Sequence, residues 1–158
     1  MLTAFEPVVA PDTRVMIFGS FPGVASLGAT QYYAHPRNHF WRLLEAVLDL
    51  PGLAAQPYAQ RLDSLLARQV GLWDALAACE REGSLDAAIR QARPNDFARL
   101  HQLAPALDKV CFNGKAAGRF APVLEAAGYR TLALPSSSPA NAMLSFQQKL
   151  SAWRSLLA

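Results

Sequence analysis

The sequence predicts an α/β protein, a three-layer α/β/α sandwich with a central four-stranded parallel sheet. Four short apolar segments have the composition of strands buried on both faces: residues 14–18, 70–73, 109–112 and 130–134. Each segment is followed directly by Gly, Asp, Asn or Pro, which are residues that end strands. Because apolar stripes at helical spacing separate the segments, strands and helices should alternate, and this order favours parallel pairing with right-handed crossovers.

The helices are predicted from their apolar stripes. Phe40, Leu44 and Val47 share one face after Asn38, whose amide suits a helix N-cap. Three further stripes occupy residues 97–107, 116–124 and 146–157, although Pro105 and Pro122 interrupt the first two. Residues 52–57 and 80–84 have the composition of loops.

Composition indicates a single globular domain, residues 1–158, because 52% of the residues are hydrophobic and 17% are charged. A net charge of +3 is compatible with a polyanionic partner but does not require one. Cys79 and Cys111 lie in apolar surroundings without CxxC spacing, so we expect buried free thiols. Since no apolar stretch approaches a membrane span, we expect a soluble cytoplasmic monomer with no membrane partner.

Functional groups should collect at the carboxyl ends of the parallel strands. That edge gathers residues 19–38, 74–81, 113–115 and 135–142. Within the first stretch, aromatic, basic and amide groups crowd the residues that precede a helix. Asn38 is therefore either a simple helix cap or an amide that orients water or substrate. The last stretch is either an ordinary Ser/Pro turn or a set of hydroxyl and amide donors for a phosphate.

Three motifs carry a family resemblance: GSFPG at 19–23, HPRNHFW at 35–41 and LPSSSPANA at 134–142. Together they closely resemble the hypoxanthine-DNA glycosylase branch of the uracil-DNA glycosylase superfamily. The segments GLWD at 71–74, CEREGSLD at 79–86 and FNGK at 112–115 are also similar to that branch, so the resemblance spans nearly the whole chain. It implies the superfamily fold, no metal and no redox cofactor. It also implies monofunctional hydrolysis of the N-glycosidic bond of a deaminated base in DNA, as in base excision repair.

Two departures from related enzymes shape the predicted chemistry. Mismatch-specific uracil glycosylases hold the catalytic water with an Asn where this chain has Phe21, so the resemblance leaves Asn38 as the substitute. Classical uracil enzymes carry a His where this chain has Ser136, which donates a hydrogen bond but cannot carry positive charge. Asn38 and Ser136 are thus the predicted catalytic residues, and hypoxanthine rather than uracil is the expected base.

The remaining site residues are predicted to bind a base extruded from the duplex. Phe21 and Tyr33 are stacking candidates, while Asp74 could accept from N1–H of hypoxanthine. Asn113 could donate to the base, and His35 could donate to the base or to a phosphate. The predicted DNA contacts, which include backbone as well as side-chain groups, are Gly19, Ser20, Arg37, Lys115, Ser137, Ser138 and Asn141.

Other functions remain open at this point. A uracil or broad-specificity glycosylase would share the same motifs, and activity on different deaminated bases would separate the two. A non-catalytic DNA-binding relative would bind DNA without leaving an abasic site. An unrelated nucleotide-binding α/β protein would need a signature such as GxxxxGK[ST], which this sequence lacks.

Overall fold

A computed structural model describes residues 1–158. The strands are β1 (Leu2–Thr3), β2 (Val15–Gly19), β3 (Val70–Asp74), β4 (Leu76–Glu80), β5 (Arg90–Pro94), β6 (Lys109–Asn113) and β7 (Arg130–Leu134). The helices are α1 (Val24–Ala29), α2 (Phe40–Val47), α3 (Tyr58–Ala67), α4 (Arg99–Leu103), α5 (Lys115–Gly118), α6 (Ala121–Ala126) and α7 (Phe146–Trp153). Short 3₁₀ turns occupy Leu53–Ala55, Asp86–Ala88 and Arg154–Leu157.

The main sheet is parallel, with the strand order β3-β2-β6-β7. It contains the four predicted strands, and their bounds differ from the prediction by no more than one residue at either end. Its side chains alternate between two cores because successive residues of a strand point to opposite faces. Ile17 joins the core formed with α2, α3 and α7, whereas Met16 and Phe18 join the core formed with α4 and α6. The predicted three-layer sandwich is confirmed.

A second sheet was not predicted. β1, β4 and β5 form an antiparallel sheet in the order β1-β4-β5. β4 follows β3 after Ala75 alone, so residues 70–80 give no turn signal that would divide them into two strands. Every residue of β5 is exposed, and its sequence lacks the apolar alternation by which a strand is recognised.

Several helical predictions were also incomplete. α1 and α3 were missed, and the loop expected at 52–57 contains a 3₁₀ turn. The stripe at 116–124 forms two helices, with Pro122 in the first turn of α6, where a proline needs no amide hydrogen.

Two expectations about composition can be compared with the structure. Cys79 and Cys111 are both buried and free, as predicted. No helix combines the length and the apolar composition that a membrane span requires.

Candidate active site

The HPRNHFW motif at 35–41 and the LPSSSPANA motif at 134–142 meet at the carboxyl edge of the main sheet. The backbone N–H of His39 donates to the carbonyl of Ser137 at 3.0 Å, which joins the segment before α2 to the loop after β7. Trp153 of α7 donates from its indole to the Pro135 carbonyl at 2.9 Å and holds that loop from the other side. Residues about 100 positions apart therefore form one wall of a candidate site.

Asn38 lies half-buried at a cavity of about 270 Å³ whose lining also includes Tyr33, His35 and Arg42. Its Oδ1 accepts from the Phe40 N–H at 2.9 Å, so the amide supports the start of α2 although His39 occupies the cap position. A carbonyl oxygen has two lone pairs, which leaves one for a water molecule. Both interpretations of Asn38 are therefore compatible with its position.

His35 lines the same cavity and is oriented by its own loop. Its Nδ1 accepts from the Arg37 N–H at 3.0 Å. In a neutral imidazole this bond assigns the proton to Nε2. The ring can therefore act as a hydrogen-bond donor, as the predicted contact with base or phosphate requires.

Tyr33 connects this cavity to the end of the sheet. Its ring stacks on Phe40 with 3.8 Å between centroids, and its backbone has φ of +55°, a conformation that costs a non-glycine residue roughly 1–2 kcal/mol. The Tyr33 Oη is buried without a hydrogen-bond partner. A buried hydroxyl that lacks a partner is a candidate for contact with a ligand.

Asp74, at the end of β3, is only 3% exposed, and its Oδ2 likewise has no partner. Burial raises the pKa of this carboxyl to about 7, and the negative charge of Asp86 adds to the effect while Arg81 opposes it. β2 pairs with β3 so that Gly19 lies opposite Asp74. A Cβ at Gly19 would lie 2.7 Å from Asp74 Oδ1 and 3.0 Å from Tyr33 Oη, so only glycine fits there without displacing these groups.

Asn113 holds in place the serine loop, residues 135–142, which follows β7. Its Nδ2 donates to Ser137 Oγ at 2.8 Å, and its Oδ1 accepts from the Ser137 N–H at 2.9 Å. One amide hydrogen remains for the predicted base contact. Gly114 follows with φ of +97°, and a Cβ there would meet the Ser136 Cβ at 3.1 Å. The backbone therefore brings β6 and the serine loop into close contact.

The hydroxyls of the serine loop are mostly engaged within it. Ser136 Oγ accepts from the Ser138 N–H at 3.1 Å, and Ser138 Oγ accepts from the Ala140 N–H at 3.1 Å. Asn141 Nδ2 donates to the Ser136 carbonyl at 3.1 Å. Each hydroxyl keeps its own hydrogen, so Ser136 and Ser138 can still donate to a ligand.

Some predicted contacts do not fit this conformation. Ser137 is 1% exposed and bonded to Asn113, and Gly19 is buried, so neither faces solvent where a DNA backbone would pass. Phe21 is 6% exposed and packs in a small cluster with Leu76 and Cys79, so its ring is not open to a base. Arg37 and Lys115 are exposed, as a phosphate contact requires.

The chain belongs to the uracil DNA glycosylase superfamily. The profile of that family, described as "Uracil DNA glycosylase superfamily", matches residues 6–157. A Methanosarcina barkeri protein named hypoxanthine DNA glycosylase is 42% identical over 149 residues, which cover 94% of this chain and 93% of that protein. A protein of the same name from Methanosarcina acetivorans is 39% identical over 152 residues, which cover 96% of this chain and 95% of that protein.

The fold of this superfamily member also matches a solved structure. The solution NMR structure of a Methanosarcina acetivorans protein described as a uracil DNA glycosylase superposes with a TM-score of 0.85 at 37% identity. The match covers 99% of this chain and 98% of that one.

The segment that follows β4, residues 81–86, was not among the predicted site residues of this superfamily member, although it belongs to one of the stretches that carry the resemblance. Arg81 is 8% exposed. Its guanidinium donates to the Gly83 carbonyl at 2.7 Å and to the Pro22 carbonyl at 2.6 Å. The guanidinium carbon also lies 5.3 Å from the centre of the Phe21 ring. Ser84 accepts from the Val24 N–H at 2.9 Å. This segment therefore clamps the turn that follows β2.

Asp86 completes the clamp. It accepts from the Ser20 hydroxyl at 2.6 Å, which engages a residue predicted to contact DNA. The signal available in the sequence was the Arg-Glu-Gly-Ser-Leu-Asp run at residues 81–86, which combines charged groups with a turn-forming glycine.

Proposed function

We propose that this chain is a monofunctional DNA glycosylase that hydrolyses the N-glycosidic bond of deoxyinosine flipped out of DNA, as in base excision repair. Its membership of the superfamily and its 39–42% identity to two proteins named hypoxanthine DNA glycosylase support this activity. The observation that carries the proposal is the position of Asn38 at a cavity of about 270 Å³, with one lone pair of its carbonyl oxygen free. We also propose that residues 1–158 act as one domain and as a monomer.

Asn38 contributes to hydrolysis by positioning the attacking water. Cleavage of the bond between C1′ and the base nitrogen develops positive charge on C1′, as in other glycosyl transfers, and the bonding electrons leave with the base. Water then adds to C1′ and loses a proton, and the departed base anion gains a proton, so the products are the abasic sugar and neutral hypoxanthine. An amide is not a base, so Asn38 orients the water rather than deprotonating it. The Ser136 hydroxyl, which keeps its hydrogen, donates to the departing base and spreads the negative charge that develops there.

Base selection is assigned to Asp74 and Tyr33. Both present a buried polar atom without a partner, and both lie against Gly19. An ionised Asp74 accepts from N1–H of hypoxanthine, while the Tyr33 hydroxyl can donate to an acceptor on the same base. Asp74 does not line the cavity in this conformation, whereas Tyr33 does. Ser136 does not line the cavity either, so contact of one base with Asp74 and Ser136 requires a rearrangement of the cavity lining.

The test is alkaline strand cleavage on end-labelled duplexes that contain one hypoxanthine or one uracil. We expect cleavage at hypoxanthine by the native chain and a rate lower by at least about 100-fold for Asn38→Ala, since loss of a positioned reactant has effects of this order. Gln102→Ala is the control, because Gln102 carries the same amide group, is exposed on α4 and lies outside the cavity.

Each alternative outcome identifies a different function. Retained activity in Asn38→Ala would remove this residue from the chemistry. A preference for uracil would assign the chain to a different specificity. Binding to both duplexes without any abasic product would identify a non-catalytic DNA-binding relative.

A further inference from the structure

Arg61 of α3 is a charged side chain in the wall of the Asn38 cavity, although none of the motifs contains it. It lines the space of about 270 Å³ together with Asn38 and His35. A single water molecule fills only roughly 30 Å³, so the cavity has room for a larger ligand. Unlike Asp74 and Ser136, Arg61 already borders the space that such a ligand would enter.

The guanidinium of Arg61 has no acidic partner in the protein. No Asp or Glu lines the cavity, and neither ion pair of the chain involves Arg61. Its Nε is buried without a hydrogen-bond partner. Burial lowers the pKa of Arg61, because the charged form loses hydration that no carboxylate replaces. Arg61 therefore keeps positive charge and N–H donors for a ligand with acceptor atoms.

Aromatic rings hold Arg61 in place. Its guanidinium carbon lies 4.7 Å from the centre of the Trp41 ring and 5.3 Å from the centre of the Tyr58 ring. The backbone of Tyr32 fixes both rings, since its carbonyl accepts from the Trp41 indole at 3.2 Å and its N–H donates to the Tyr58 hydroxyl at 2.9 Å. The charge is thus positioned before any ligand binds, which lowers the entropy cost of binding.

The fork of an arginine selects bases that present two acceptors on one edge. Hypoxanthine shares with guanine the adjacent acceptors O6 and N7, which arginine binds bidentately. Adenine presents N7 beside an amino group, so one N–H of the fork would face another donor. Uracil lacks N7 and offers one acceptor, O4, on the corresponding edge. Arg61 therefore favours a 6-oxopurine over both adenine and uracil.

The same contact would act on the departing base. When the bond between C1′ and N9 breaks, both bonding electrons stay with the purine, and the negative charge spreads over its ring nitrogens and O6. Arg61 keeps its protons throughout and stabilises this charge, and the base afterwards gains a proton from water. Ser136 can donate a hydrogen bond but carries no positive charge, so Arg61 supplies what the serine lacks.

We propose that Arg61 reads the flipped base from the edge that carries O6 and N7, donating one N–H bond to each, and that its charge stabilises the purine anion as the glycosidic bond breaks. This role rests on the proposed function. It adds a specificity-determining residue from α3, which lies outside every stretch that carries the resemblance.

The experiment measures binding to duplexes that differ in one group of the base. Each contains, opposite cytosine, either 2′-fluoro-2′-deoxyinosine, whose glycosidic bond resists hydrolysis, its 7-deaza form, in which C–H replaces N7, or 2′-fluoro-2′-deoxyadenosine. The native chain should bind the inosine duplex about tenfold more tightly than the 7-deaza duplex, the size expected for a charged hydrogen bond. Arg61→Met should bind the inosine duplex more than about tenfold more weakly than the native chain and lose nothing further without N7. Its preference for inosine over adenosine should also shrink by about tenfold.

A second variant separates the charge of Arg61 from its fork. Arg61→Lys keeps a positive charge on a long stem but cannot form the two parallel bonds. It should excise hypoxanthine faster than Arg61→Met and more slowly than the native chain. Arg154→Gln removes an exposed charge outside the cavity and should match the native chain in every assay.

Three results would contradict the proposal. The first is equal binding of the native chain to the inosine and 7-deaza duplexes, a result that needs no variant and so is independent of folding. The second is an N7 effect of the same size in the native chain and in Arg61→Met. The third is an equal excision rate for Arg61→Lys and Arg61→Met, which would remove the contribution of charge to the departing base.

Excision of hypoxanthine from an unmodified duplex is measured in parallel on the native chain. Excision without coupling between N7 and Arg61 refutes the role of Arg61 and leaves the proposed function standing. Coupling without excision supports Arg61 as the residue that reads the base and refutes the proposed function.

Discussion

Replacing Asp74 with asparagine should stabilise the protein at neutral pH. Asp74 is 3% exposed, and its Oδ2 has no hydrogen-bond partner, so the folded protein disfavours the ionised form. Asparagine keeps the shape of the side chain and removes the charge. The variant should also excise hypoxanthine at least about tenfold more slowly, because the acceptor for N1–H is replaced by a group that can present a donor.

The magnitude follows from the raised pKa of Asp74, about 7 compared with an ordinary value of 3.8. A difference of about three pH units corresponds to roughly 4 kcal/mol. Below pH 4 the carboxyl is protonated in both folded and unfolded chains, so burial carries no ionisation cost. Between about pH 4 and 7 the unfolded chain loses the proton while the folded chain keeps it, and stability falls. Above pH 7 both are ionised and the loss levels off.

The assay is urea unfolding at pH 3.5, 5.5 and 8 for the native chain and Asp74→Asn. The variant's gain in unfolding free energy should be near zero at pH 3.5 and rise toward roughly 4 kcal/mol at pH 8. Asp63→Asn, at an exposed position of α3, should show a constant difference. A gain for Asp74→Asn that does not change with pH, or a loss of stability at pH 8, would refute the reasoning.

Two further substitutions test the packing of the site. Gly19→Ala would place a Cβ 2.7 Å from Asp74 Oδ1, so thermal unfolding should show that the free energy of unfolding falls by about 1–3 kcal/mol. An unchanged unfolding temperature would mean that Asp74 can move aside freely. Arg81→Gln should lose about 2 kcal/mol because two backbone carbonyls lose charged donors at 2.6 and 2.7 Å. The lower stability of Arg81→Gln should persist across pH 5 to 8. A stability equal to that of the native chain would show that the hydrogen bonds of Arg81 to the turn after β2 are dispensable.

The main sheet could be predicted from sequence because all four strands are short, largely apolar runs, and β2, β3 and β6 are buried on both faces. The edge strand β7 has two exposed residues and one buried residue, so burial on both faces, which its composition suggested, was wrong for that strand. β5 was not predicted because it is an exposed edge strand with no apolar pattern in its sequence. Its conformation is fixed by backbone pairing with β4 rather than by burial of its own side chains. α1 escaped for a related reason, since its six residues, Val24–Ala29, are too short to show helical periodicity.

The candidate site was predictable where strand ends were involved. Gly19, Asp74 and Asn113 each end a parallel strand, and such ends meet at one edge of a sheet whatever the rest of the chain does. Arg81 was not predictable in the same way. Its guanidinium binds the Pro22 carbonyl, 59 residues earlier in the chain.

The sequence by itself determined the alternation of strands and helices, the order of the motifs and the edge of the sheet where they meet. These features follow from local composition and from the geometry of parallel strands. Tertiary structure alone decided which polar atoms are buried away from solvent. The raised pKa of Asp74 and the hydrogen bonds between Asn113 and Ser137 both depend on neighbours distant in the chain, because the fold decides which groups surround each polar atom.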